Sequence, residues 1–151
     1  MMKNEVAVTI KALVPTPTGC GVFLTDGNKV IAIFVDHSVA AAITMAMHDI
    51  HKPRPLTHDL IENILAGLDV VLQKVVINDL KEDTYFARLF LYQQLDAGKN
   101  MLEIDARPSD SIALALQLKA PILISSDVLA RADDMSWALE QKKNEEGESP
   151  G

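Results

Sequence analysis

The chain has 151 residues, 48% hydrophobic and 23% charged, with a net charge of −7 and a single cysteine, Cys20. That length suits one domain burying its own core without staples, and a lone cysteine excludes an internal disulfide. No run approaches the roughly 18 apolar residues of a membrane helix, and Met1-Met2-Lys3-Asn4-Glu5 is not followed by an apolar leader core. The expected setting is a reducing cytoplasm, without membrane attachment.

The charge is unevenly placed. Residues 133–151 hold six acids against Lys142 and Lys143, so most of the total of −7 sits in the C-terminal segment. Basic residues elsewhere are scattered, and only Lys52 with Arg54 makes a local pair. Sequence-independent nucleic-acid binders draw affinity from a basic stripe that displaces counterions. The pattern here weighs against tight, passive binding of that kind.

Val6, Val8 and Ile10 alternate with more polar neighbours, the period of a half-buried strand. Pro15-Thr16-Pro17-Thr18-Gly19 breaks it, Gly21 to Thr25 pairs back, and Asp26-Gly27-Asn28 turns into a third strand, Lys29 to Val35. Asp36 or Ser38 caps a helix running to about Ile50, with Val39, Ile43, Met47 and Ile50 on one face. His51-Lys52-Pro53-Arg54-Pro55 stops that helix, because proline lacks a donor and clashes with the preceding turn.

Thr57 caps a second helix whose expected buried stripe is Leu60, Ile61, Ile64, Leu65 and Leu68. Strands near 70–78 and 84–93 follow, joined by Leu80-Lys81-Glu82-Asp83. Leu102, Ile104 and Ala106 alternate as a further strand. Pro108 suits the first turn of a third helix. That helix, 109–118, is apolar nearly all round, and a partner subunit is one source of its cover. Ile122 to Ser125 is a short last strand, and Asp127 opens a final helical segment. From about residue 144 the composition reads as a disordered tail. Residues 1–132 thus form one domain, and 133–151 an acidic extension, helical at its start and then disordered.

Three polar clusters lie at element junctions. Arg54-Pro55-Leu56-Thr57-His58-Asp59-Leu60 is a rigid loop feeding a helix start. In Ile104-Asp105-Ala106-Arg107-Pro108-Ser109-Asp110-Ser111, alternation puts Asp105 and Arg107 on one strand face. The residue before proline is held extended, so Arg107 stands beside the free N–H groups of the next helix, a natural anion site that Asp110 offsets. Tyr85-Phe86-Ala87 is the aromatic third cluster.

Together with the Asp79-to-Ala87 stretch and Ala120-Pro121-Ile122, these clusters resemble the bifunctional nuclease domain family from about Val6 to Ala132. The resemblance implies a mixed α+β fold, homo-oligomers, and hydrolysis of DNA and RNA in some members. By position the motif residues are Arg54, Thr57, His58 and Asp59, then Asp105, Arg107, Pro108, Ser109 and Asp110. This chain departs from the pattern at Asp36 and Asp83, where relatives commonly have glycine, and at Val39, where they have an acid.

Phosphodiester hydrolysis needs an activated water and neutralised phosphate charge. His58, Asp59 and Asp105 are the candidate catalytic groups, with Arg54, Arg107 and Ser109 on the phosphate. Asp59, Asp105 and Asp110 are the candidate ligands of a Mg²⁺ or Mn²⁺ ion, and the expected substrate is single-stranded DNA or RNA. The structural alternative is a non-catalytic oligomeric binding or regulatory module, dimeric or larger. There Thr57 and Ser109 are ordinary caps, Arg107 pairs with Asp59 or Asp105 in a buried ion pair, and His58, Tyr85 and Phe86 are packing residues. Cys20 reads as a small buried residue. The expected fold is α+β: a mixed, largely antiparallel sheet packed with three or more helices.

Overall fold

A computed structural model describes residues 4–148. Apolar–polar alternation carries β1 (Glu5–Thr16), and β2 (Gly19–Thr25) pairs back along it, followed by β3 (Val30–Asp36). β1 continues through Pro15 where the sequence suggested a break. Along β1, β7 (Ile122–Ser125) reaches only Glu5 to Val8, so Pro15 lies where β1 has β2 as a neighbour on one side alone, an edge position that tolerates proline. Gly19 is demanded by close approach: a Cβ there would lie 1.9 Å from the Val35 carbonyl oxygen.

Helix α1 (His37–Met47) starts at Asp36, whose carboxylate accepts from Val39 N at 2.9 Å. Asp36 is therefore a working cap. Val39 and Ile43 are buried as expected, but the helix ends at Met47, and Met47 and Ile50 are exposed. Helix α2 (Thr57–Gly67) begins after Leu56, so Thr57 is its first residue rather than its cap. Its expected stripe divides. Ile61 and Leu65 pack on the core, whereas Leu60, Ile64 and Leu68 are 54%, 51% and 57% exposed. An outer helix buries one narrow face, and five apolar positions were more than that face holds.

Strands β4 (Val70–Lys81), β5 (Thr84–Leu95) and β6 (Gly98–Ala106) form an antiparallel meander. Glu82 and Asp83, the two residues between β4 and β5, have φ of 50° and 63°. That is the left-handed conformation that glycine adopts most cheaply. Helix α3 (Pro108–Leu118) follows, ending on Lys119 in the left-handed region. Then come β7, α4 (Ser126–Arg131) and α5 (Ser136–Glu148). The tail expected from about residue 144 overlaps α5, and residues 149–151 lie outside the described residues.

The seven strands run in the order β3-β2-β1-β7-β4-β5-β6. All pairings are antiparallel except β4 with β7, which makes the sheet mixed, as expected. The expectation of a single α+β domain is met. The core joins the inner faces of the sheet to α1 and α3, and this chain alone buries Ile112, Ala113, Leu114 and Ala115 of α3. No helix among the described residues is long and apolar enough to cross a membrane.

Candidate functional site

The N-termini of α2 and α3 meet. His58, in the first turn of α2, is buried, and its Nε2 lies 3.0 Å from Asp110 Oδ1 in the first turn of α3. Arg107, immediately before α3, donates through Nε to Asp110 Oδ2 at 3.0 Å, and its Nη2 completes the ion pair with the same oxygen at 3.0 Å. His58, Asp110 and Arg107 thus form a chain running from the interior outwards, two stretches about 50 residues apart in sequence brought together. The expected buried pairing of Arg107 with Asp59 or Asp105 does not occur. Its partner is Asp110, and the Arg107 side chain is 65% exposed.

Arg107 opens into a cleft of about 680 Å³, which Pro108 and Ser109 also line. Ala32, Ile33 and Phe34 of β3 line it, with Leu80, Asp83, Thr84 and Tyr85 around the β4–β5 turn, Arg131 at the end of α4 and Asp133 after it. Phe34 is 67% exposed, and its ring lies over Gly21, where a Cβ would sit 3.2 Å from the ring. Burial, then the charges of Asp133 and Asp83, push the Tyr85 phenol up, so it remains protonated at neutral pH. Arg131 is tied down by the Leu80 carbonyl at 2.7 Å and Asp79 at 3.2 Å.

Asp59 lies elsewhere. Its carboxylate accepts from Leu56 N at 2.8 Å, meets Lys52 Nζ at 3.1 Å and accepts from Gln117 Nε2 at 2.8 Å. Burial alone would raise this carboxyl, but the Leu56 N–H, Lys52 and Gln117 outweigh burial and hold it below the usual range. It lines a second, smaller pocket of about 190 Å³ with His51, Lys52 and Gln117. Asp105 is exposed on β6, opposite Arg88, and its carboxylate makes no hydrogen bond or ion pair among the described residues. Arg54 is exposed in the loop before α2. Ser109 is buried at the cleft and caps nothing, since Arg107 occupies the cap position of α3.

The structure therefore joins His58, Asp110, Arg107 and Ser109 and leaves Asp59, Asp105 and Arg54 apart from them. The carboxylates suggested for Mg²⁺ or Mn²⁺ do not fit one ion. Asp110 is engaged by His58 and Arg107, Asp59 by Lys52 and Gln117, and Asp105 stands on the sheet. Among the described residues no group of three or more His, Cys, Asp or Glu side chains is placed to hold a metal.

Phe34 and Arg131 did not emerge from the sequence. Alternation offered a signal for Phe34, which faces outward between the buried Ile33 and Val35. Arg131 offered none, because its role arises from tertiary contact with Leu80.

A family model described as "Bifunctional nuclease domain" matches residues 22–136. An uncharacterised protein of Mycobacterium tuberculosis is 39% identical over 107 residues, covering 71% of this chain and 61% of the relative. Bifunctional nuclease 1 of Arabidopsis thaliana is 26% identical over 113 residues, 74% of this chain and 34% of that protein. Bifunctional nuclease 2 of Oryza sativa subsp. japonica is 26% identical over 102 residues, 67% and 31% respectively. The chain thus spans less than two thirds of the mycobacterial relative and about a third of the plant nucleases.

Proposed function

This chain belongs to the bifunctional nuclease domain family, and from that premise we propose that its large cleft binds single-stranded DNA or RNA and hydrolyses phosphodiester bonds with little sequence preference. One observation carries the reading: Arg107 is held by Asp110 yet stays largely exposed, at a cleft mouth beside the first turn of α3. Nε and Nη2 face Asp110, which leaves Nη1 for a phosphate oxygen. The Ser109 N–H adds a donor at the helix start. Phe34 offers an aromatic face on which a base can stack. In this reading His58 is a positioning residue, fixing Asp110 and through it the guanidinium. Asp59 and Asp105 lie outside the cleft lining, and no step is assigned to a metal ion.

A second reading has its own support. Asp110 and Asp59 are both taken up by protein partners, as expected where carboxylates hold a fold together. The same cleft then binds nucleic acid without cutting it.

The test uses purified protein on single-stranded DNA and RNA, with and without EDTA. Binding is read by fluorescence anisotropy and cleavage by gel, for wild type, Arg107→Ala and Arg107→Lys. A charge-assisted contact is worth about 1.5–3 kcal/mol, so Arg107→Ala should weaken binding by about 10- to 100-fold, with partial rescue by lysine. Cleavage lost with EDTA makes the reaction metal-dependent. Binding without cleavage selects the second reading, and full activity in both variants removes the cleft from the reaction.

A further inference from the structure

The sheet has two edges, and the chain treats them differently. At β3, Val30 N donates to the Asp134 carboxylate at 3.2 Å, and the Val30 carbonyl accepts from Met135 N at 2.7 Å. That edge is closed where the segment after α4 crosses it. At the other edge, among the described residues β6 pairs only with β5, and every residue from Gly98 to Asp105 is exposed. A nine-residue strand with a free row of backbone donors and acceptors, carrying exposed Met101, Leu102 and Ile104, is a ready template for another strand.

The faces of β6 point to what that strand is. Leu102 and Ile104 stand opposite Leu91 and Leu89 of β5, which are buried, so they continue the core side of the sheet past its edge. Lys99, Met101, Glu103 and Asp105 share the other face. Antiparallel pairing of β6 with itself about a two-fold axis normal to the sheet keeps each face continuous only if one residue lies opposite its own copy. Leu102 is the midpoint of Gly98–Ala106, and an axis there pairs the strand along its full length.

In that register Leu102 meets Leu102 on the core side, and Lys99 meets Asp105 of the other copy at both ends. Asp105 makes no ion pair among the described residues, and Lys99 is engaged over the Tyr92 ring, 5.2 Å from its centroid. An axis at Glu103 would instead set two glutamates face to face.

We propose that β6 is a homodimer interface: two copies of this chain join their sheets edge to edge, centred on Leu102, with reciprocal Lys99–Asp105 pairs. The pairing follows from edge chemistry and is independent of what the cleft does.

The decisive experiment is a charge exchange on the full chain. Lys99→Asp places two acids opposite each other at each end of the strand, and Asp105→Lys places two lysines there. Both positions are exposed, so the fold is retained, which circular dichroism verifies. By light scattering across a concentration series the wild type is a dimer. Each variant alone dimerises about tenfold more weakly, because two cross-strand pairs turn from attractive to repulsive. An equimolar mixture of the two variants restores dimers, since every opposed pair is then of opposite charge. Leu102→Cys, under mild oxidation, gives a disulfide-linked dimer. A monomeric wild type at about 100 μM, well above the Kd of a standard-sized specific interface, overturns the proposal. So does a mixture no better associated than its components, or a dimer indifferent to both exchanges.

Discussion

Asp110→Ala removes the acceptor shared by His58 and Arg107, and the structure says which loss matters more. The His58 side chain is 11% exposed, and its Nε2 has no other partner among the described residues, so truncation leaves a buried nitrogen unsatisfied at about 1–3 kcal/mol. Arg107 is 65% exposed and regains water, so its share is about 0–1 kcal/mol. An acid in the first turn of α3 adds about 0.3–1 kcal/mol through the helix dipole. The expected total is about 1–5 kcal/mol, most of it through His58. Urea denaturation at neutral pH measures it, with Arg107→Ala as the comparison, expected to cost under about 1 kcal/mol. If Asp110→Ala changes stability by no more than Arg107→Ala does, the His58 contact contributes nothing and the chain of three is not what fixes the guanidinium.

Asp59 has a depressed folded-state pKa, so its contribution is present above the unfolded carboxylate value of about 4 and is lost as pH falls through the lower folded value. Asp59→Asn should therefore flatten the acid limb of a melting-temperature profile below about pH 4. An unchanged acid limb would show that Lys52 and Gln117 do not favour the ionised form. Cys20 is buried and its thiol is pushed up by burial, against smaller opposing effects of the Val14 backbone and Lys142. A disulfide reagent at neutral pH should modify it only at the rate of structural opening, and fast labelling of native protein would contradict that burial. Phe34→Ala should change stability by less than about 0.5 kcal/mol, yet weaken single-stranded oligonucleotide binding by about 1–3 kcal/mol. The loss should vanish on an abasic oligonucleotide, and equal losses on both would remove the stacking role.

Most of the fold was legible because alternation and proline–glycine punctuation act locally. The strand at Leu102 and Ile104, the meander around Glu82 and Asp83, and the proline-started helix at Pro108 can all be read without knowing their neighbours. The α2 stripe misled because periodicity reports which residues are apolar, not how many sides of a helix find cover. Leu60, Ile64 and Leu68 satisfy the pattern and still face outward. Of the candidate site, His58 and Asp110 could each be singled out from the sequence, but their contact with each other is visible only in the structure. The identity of the Arg107 partner was open to error, because three carboxylates lay within plausible reach and only tertiary packing selects among them. Arg131 on α4 and Phe34 on β3 come to the cleft from elements far apart in sequence.

The short strand β7 joins what are otherwise two separate three-stranded sheets, β3-β2-β1 and β4-β5-β6. Because Ile122 to Ser125 lie late in the chain, a nascent polypeptide leaving the ribosome carries both halves with bare inner margins until those four residues emerge. Synthesis halted before Ile122 should thus yield a sticky intermediate that chaperones recognise, whereas release a few residues later lets the two halves zip shut.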